Sequence, residues 1–277
     1  MTAAMQAGKP IAKLESAFAA ARAAGRKALA PFVTAGDPDM ATSVAVLEAV
    51  DRAGATLCEL GVPYSDPIAD GPVIQASYTR ALGSGITLEH VFSIAKQASA
   101  KVTLPILAMA SYSLIFRRGI ERFVADAKAA GLAGFVVPDL PLEESDELDA
   151  ACRAAGLALV RLVTPTTPPD RAEAIARRST GFLYCVSVAG VTGARSELPP
   201  GLLDRIAWLR TKTNVPILVG FGISSPEHVR AVAAVADGVI VGSALVRLVA
   251  EESAATGQGE TLAKVERFVA DLASACG

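Results

Sequence analysis

Short apolar runs and helix-patterned stretches alternate eight times along this chain. The first run, Ala28-Leu29-Ala30-Pro31-Phe32-Val33-Thr34, ends in a Gly36-Asp37-Pro38 turn, and the others fall at 56–60, 105–110, 134–138, 158–163, 181–187, 216–220 and 237–241. Helical stretches follow at Met40 to Arg52, 87–100, 119–130, 143–155, 168–178, 201–213, 226–236 and 243–252. Strands joined through helices pair in parallel. Eight such units close a barrel of roughly 250 residues, and the chain has 277. An open doubly wound sheet is the competing architecture, but no G-x-G-x-x-G follows the first run. Ile11, Leu14, Phe18 and Ala21 have helical spacing ahead of the first run, and a last helix at about 260–274 follows the Thr256-Gly257-Gln258-Gly259 break. No linker or composition shift interrupts the rhythm. The expectation is an α/β chain forming one (β/α)₈ TIM-barrel domain over residues 1–277, with an extra N-terminal helix and a C-terminal helix.

Composition removes several function classes. Hydrophobic residues make up 52% of the chain and charged residues 19%, which excludes a disordered protein. The net charge is −2 with no basic block, so neither nucleic acid nor an anionic membrane is an expected partner. No stretch approaches the ~20 apolar residues of a membrane span, and the segment Met1 to Arg26 carries Glu15 and lacks the apolar core of a signal peptide. A cytoplasmic protein is expected. Cys58, Cys152, Cys185 and Cys276 form no C-x-x-C pair and suit neither zinc nor a disulfide framework. The two histidines, His90 and His228, both fall in helix-like stretches. No metal site is expected, and proton transfer falls to carboxylates.

The stretch from Cys58 to Gln75 holds such carboxylates. It leaves an apolar run and enters a loop containing Pro63, Pro67 and Pro72 with Glu59, Asp66 and Asp70. Proline fixes φ, so the loop is stiff for its length. Asp66 before Pro67 fits turn chemistry. Glu59 sits at the strand end, where barrel active sites form, and Asp70 lies eleven residues on. Two carboxyl groups of different environment facing one small molecule suit acid–base chemistry on opposite sides of it. The segments after the second and sixth runs, about 61–86 and 188–200, exceed the usual two to six residues and read as long functional loops.

Three glycine-bearing segments follow the last three runs: Gly190-Val191-Thr192-Gly193, Gly220-Phe221-Gly222-Ile223-Ser224-Ser225-Pro226-Glu227 and Val241-Gly242-Ser243-Ala244. Glycine lets backbone N–H groups approach an anion. Ser225-Pro226 and Gly242-Ser243 each start a helix whose first free amides can face a phosphate. The glycines also suit plain strand-to-helix turns, but together they match the recurring barrel phosphate site. A phosphorylated small molecule is the expected substrate. Amides and dipoles can hold its phosphate without a lysine.

The stretch from Glu59 to Gln75 resembles the signature of the tryptophan synthase alpha chain family. The similarity extends to Pro31–Pro38, Val137-Pro138-Asp139-Leu140-Pro141, Gly190–Gly193 and Gly220–Ile223, in order along almost the whole chain. The resemblance implies retro-aldol cleavage of indole-3-glycerol phosphate to indole and glyceraldehyde 3-phosphate. By motif position, Glu59 is the general acid–base and Asp70 stabilises positive charge at the indole N–H. Phe32 lines the indole pocket and Tyr184 lies beside Glu59. Gly193, Phe221, Gly222, Gly242 and Ser243 hold the phosphate, and Thr192 closes the site around Asp70. The family further implies an alpha₂beta₂ complex that passes indole to a beta chain. Pyridoxal phosphate is then expected in that partner and no cofactor in this chain, with Asp66 and Pro67 at the contact. Two departures stand out. Ser111 replaces a pocket tyrosine and Ser113 an asparagine, and the segment Ser187-Val188-Ala189-Gly190 lacks an arginine found in some relatives. A partner-free lyase, a silent binding subunit and a different sugar-phosphate barrel enzyme are the competing readings. Trp208 reads as outer packing, Arg117 and Arg118 as loop solvation or an interface contact, and Asp139 as turn chemistry or an orienting group.

Overall fold

A computed structural model describes residues 10–68, 70–187, 201–220 and 222–277. Its eight strands are β1 (Ala28–Thr34), β2 (Cys58–Gly61), β3 (Ile106–Met109), β4 (Gly134–Val136), β5 (Ala158–Val163), β6 (Leu183–Val186), β7 (Ile217–Gly220) and β8 (Gly238–Val241). Each pairs in parallel with the next, and β8 returns to β1, so the sheet closes on itself. Phe32 stands beside Glu59 at the β1–β2 pairing, and Ala28 beside Gly238 where the barrel closes. The alternation of short strand and helix in the sequence therefore becomes the expected (β/α)₈ barrel.

Period-two alternation within each strand decides which residues face where. Ala30 and Phe32 of β1, Leu107 and Met109 of β3, Val160 of β5, Tyr184 of β6, Leu218 of β7 and Ile240 of β8 form one buried cluster inside the barrel. Their neighbours Leu29, Val33, Leu60, Ile106, Ala108, Leu159, Cys185, Val219 and Val239 belong to a second cluster, packed under the helices. Strands covered on both faces need apolar side chains at every position, which is why the runs read as continuous rather than alternating. Cys58 and Cys185 are simple members of the outer layer, and all four cysteines are buried and unpaired.

The helices form the outer ring. The leading helix α1 (Pro10–Ala23) buries Leu14 and Phe18 in the same cluster as the barrel interior, and Phe18 meets Phe182 edge-on at 6.1 Å. It closes the N-terminal mouth. After β1, Asp39 caps α2 (Met40–Arg52) by accepting from Thr42 N at 2.8 Å. The buried Asp37 of the preceding turn takes a two-pronged bond from Arg80 at 2.9 and 2.7 Å. Arg80 lies on α3 (Pro72–Gly83), a helix that occupies much of the segment 61–86 expected to be loop. Gly71-Pro72 supplies its start, proline being tolerated at a first helical position. Ile74, Tyr78 and Ala81 give the buried face, at spacings of four and three. The apolar stripe is short and follows an acidic, proline-rich run, which hid it.

Next come α4 (Leu88–Ser99), α5 (Tyr112–Arg118) and α6 (Ile120–Ala129). The short α5 was not expected; Ser111 caps it. Arg118 donates to Asp126 at 2.7 Å and also to Glu89, so it ties α4, α5 and α6 together rather than merely solvating a loop. The ring continues with α7 (Asp146–Ala155), α8 (Pro169–Arg178), α9 (Leu202–Arg210), α10 (Pro226–Ala233) and α11 (Ser243–Ala255). Trp208 on α9 packs at the edge of the outer cluster, as expected, with Lys212 5.5 Å from its ring. The last helix α12 (Gln258–Ser274) lies against α2, where Arg52 pairs with Glu266 at 3.0 Å. Among the described residues, no helix is long and apolar enough to cross a membrane.

Candidate active site

The carboxyl ends of the strands surround a cleft lined by both apolar and polar side chains, the composition usual in small-molecule sites. Inward positions build its floor: Phe32, Glu59, Met109, Tyr184 and Ile240. Asp70, Val73 and Ile74 enter from the segment after β2, and Gly222, Ile223, Gly242 and Ser243 from the segments after β7 and β8. Seven residues singled out in the sequence, Phe32, Glu59, Asp70, Tyr184, Gly222, Gly242 and Ser243, thus share one cavity. Thr192, Gly193 and Phe221 lie outside the described residues.

Glycines make room for the aromatic walls. A Cβ at Gly61 would lie 2.2 Å from Phe32 Cζ and 2.9 Å from the Tyr78 hydroxyl. One at Gly220 would lie 2.4 Å from the Tyr184 hydroxyl. Both positions end inward-facing rows, so any larger residue would displace a ring into the cleft.

Glu59 is wholly buried, and among the described residues neither carboxylate oxygen has a hydrogen-bond partner. An unpaired charge there would cost several kcal/mol, so the group holds its proton instead. Burial pushes its pKa from 4.5 up to about 8. A protonated carboxyl at neutral pH is a proton donor in waiting. Asp70 is less enclosed. Burial first, and then the charge of Asp139, raise it to about 6, so most of it stays ionised at pH 7. The two acids therefore occupy opposite protonation states over the interval between those values.

The scaffold around Asp70 is tied down. The Gln75 side chain donates to the carbonyls of Pro67 at 3.2 Å and Asp70 at 2.8 Å, and Asp70 N donates to Pro67 O at 3.1 Å. Asp139, after β4, accepts from Ser111 Oγ at 2.6 Å and Tyr112 N at 2.8 Å. The orienting reading of Asp139 gains support over plain turn chemistry, because it joins two loops and acts on Asp70. Ser111 and Ser113, themselves 2.9 Å apart, form the other half of that junction.

Sequence reasoning passed over Tyr78. It is buried on α3, and its phenol is raised by burial, then by Asp70, then by Glu59, so it lies within the field of both acids. Its only signal was a place three residues beyond Gln75. Tyr184 is raised by burial first and then by Glu59, which agrees with its expected place beside that acid.

The opposite end of the cleft carries backbone rather than acids. Ser225 caps α10 with Pro226 in the first turn, as expected, accepting from His228 N at 3.4 Å. Gly242 precedes α11 and has no side chain to cap it. Leu245 N and Val246 N donate to Gly242 O, and among the described residues the amides of Ser243 and Ala244 are left without an acceptor at the positive end of a thirteen-residue helix. Gly222 adopts φ +81°, a left-handed conformation that favours glycine. Among the described residues no group of three or more His, Cys, Asp or Glu could hold a metal.

Comparison with known proteins decides the family. The model of the tryptophan synthase alpha chain family matches residues 18–276. This chain belongs to the tryptophan synthase alpha chain family. The alpha chain of Rhodopirellula baltica is 53% identical over 241 residues, covering 86% of this chain and 87% of that one. The alpha chain of a Synechocystis strain is 51% identical over 259 residues, covering 93% and 97%. Among solved structures, tryptophan synthase of Mycobacterium tuberculosis superposes with a TM-score of 0.87 at 33% identity, covering 95% of this chain and 97% of that one. Tryptophan synthase subunit alpha of Legionella pneumophila gives 0.87 at 32% identity, covering 95% and 98%. As an alpha chain of this family the protein is a carbon–carbon lyase of tryptophan biosynthesis that cleaves indole-3-glycerol phosphate. The family also implies a beta-chain partner.

Proposed function

We propose that Glu59 and Asp70 divide the proton chemistry of this cleavage between them. Breaking the bond from indole C3 to the glycerol side chain would expel a carbanion unless C3 is protonated first. Glu59 delivers that proton and becomes a carboxylate in a dry site. The indolium so formed carries its positive charge at the ring nitrogen, where the Asp70 carboxylate stabilises it. The side-chain hydroxyl then gives its proton back to Glu59 and its carbon becomes the aldehyde of glyceraldehyde 3-phosphate. The electrons of the broken bond restore the neutral indole ring. One proton enters and one leaves, so Glu59 ends as it began.

The observation that carries this reading is the sharing of one cleft by two acids whose surroundings drive them to different protonation states. Phe32 and Tyr184 supply the aromatic walls for the indole, and Gly222, Gly242 and Ser243 take the phosphate at the α11 end. We assign Thr192, Gly193 and Phe221 to loop closure and phosphate binding by motif position alone. We take residues 1–277 as one domain, and the packing of α12 on α2 supports this. The working assembly is an alpha₂beta₂ complex in the cytoplasm, with pyridoxal phosphate in the beta chain.

The test is turnover of indole-3-glycerol phosphate by wild type, Glu59→Gln and Asp70→Asn, each with and without beta chain. Both variants should lose activity by orders of magnitude and still bind phosphate ligands. Full turnover in either variant refutes its assigned role, and a rate indifferent to added beta chain favours a partner-free lyase.

A further inference from the structure

The phosphate end of the cleft has a cation that amide-only recognition leaves without a purpose. Arg247 lies four residues after Ser243 on α11 and lines the same cavity as Ser243 and Gly222. Residues four apart share one helix face, and helical side chains lean back toward the N-terminus. A long side chain at 247 therefore reaches toward the turn where the free amides are. Arg247 is the one Lys or Arg among the described residues that line this cleft. Most arginines on the barrel surface are committed to acids, as Arg80 is to Asp37 and Arg118 to Asp126. Among the described residues Arg247 has no such pairing. The charge that acts on Asp70 is that of Asp139, not of a cation.

We propose that Arg247 is a specificity residue that draws the substrate's phosphate dianion onto the amide cradle at the start of α11. The inference rests on the phosphate assignment above. It adds a charge at the mouth to a pocket whose interior recognition is by dipoles. Guanidinium forks match phosphate oxygens, and an ion pair at an exposed mouth gives a modest, salt-sensitive gain.

The experiment measures binding directly, without turnover. Dissociation constants of inorganic phosphate and glycerol 3-phosphate are determined calorimetrically for wild type, Arg247→Gln and Arg247→Lys in the full chain. Indole serves as the uncharged ligand of the opposite end. Arg247→Gln should weaken both phosphate ligands roughly two- to fivefold at low ionic strength, with Arg247→Lys recovering most of it. The difference should shrink toward zero near 1 M salt, where screening acts over about 3 Å. Indole affinity should be unchanged. In turnover, KM should rise by a similar factor with kcat within about twofold. Equal phosphate affinity in Arg247→Gln and wild type overturns the inference, as does an equal loss of indole affinity, which would mean a structural role. Wild type that binds phosphate yet cleaves no indole-3-glycerol phosphate instead refutes the proposed function and leaves Arg247 in place. Wild type that binds no phosphate refutes both.

Discussion

Replacing Glu59 by glutamine should inactivate the enzyme and stabilise it, with a stability gain that grows as pH rises. The carboxyl is fully buried without a partner for either oxygen among the described residues, and burial lifts its pKa from 4.5 to about 8. Between those values the unfolded chain has released this proton and the folded protein still holds it. Folding stability therefore falls with rising pH by about 1.4 kcal/mol per pH unit from this group alone. The contribution is intact below pH 4.5 and fully lost above about 8. Glutamine has nearly the same shape and cannot ionise. The variant should match wild type near pH 4.5 and exceed it by about 3 kcal/mol at pH 7 and roughly 5 kcal/mol above pH 8. For a chain of this size, 3 kcal/mol corresponds to roughly 6–12 °C in Tm. Urea unfolding of both proteins at pH 5.5, 7 and 8.5, at one ionic strength, measures it. Taking the difference at each pH cancels the titrations they share. Two curves that stay parallel within about 0.5 kcal/mol would refute the assignment of a protonated, dry carboxyl.

Other expectations follow from the same geometry. Because Asp70 must be ionised and Glu59 protonated, kcat/KM should be bell-shaped with limbs near 6 and near 8, and a profile flat from pH 5 to 9 would contradict the division of labour. Asp139→Asn removes a charge that holds Asp70 up, so the acidic limb should move to lower pH while the basic limb stays; equal movement of both limbs would count against a local effect. Gly220→Ala places a Cβ 2.4 Å from the Tyr184 hydroxyl, which should cost about 1–3 kcal/mol of stability and lower kcat/KM at least tenfold, to be checked by urea titration and turnover. Asp149 pairs with buried Arg161 at 2.6 Å and with Arg178 at 2.6 Å. Asp149→Ala should therefore destabilise the chain by roughly 3–5 kcal/mol, because Arg161 is left buried and unpaired; a loss under about 1 kcal/mol would show that water reaches it.

Several features were legible because their causes are local. Eight apolar runs separated by helical spacing allow few closures, and the barrel follows from counting them. Ser225-Pro226 and Gly242-Ser243 announce helix starts, since caps and first turns depend on adjacent residues. The stiff acidic run from Pro63 to Pro72 marked the chemistry, and its likeness to one family named the reaction. A helix with a weak, short stripe, such as α3, escaped notice because its buried face is set by what packs on it. So did α5, about two turns of helix pinned by Ser111 and Arg118.

Local residue patterns set the order of strands and helices and placed the acids and the glycines along the chain. Only closure of the barrel turned Glu59 inward, its oxygens unpartnered among the described residues, and gave Asp70 a charged neighbour in Asp139. It also brought Tyr78 into the field of both acids and Arg247 to the wall of the cleft. The difference is one of range. Spacing along the chain fixes local conformation, but desolvation and the field of a neighbouring charge depend on atoms brought close from distant parts of the chain. A carboxyl becomes an acid at neutral pH through the company that tertiary packing gives it.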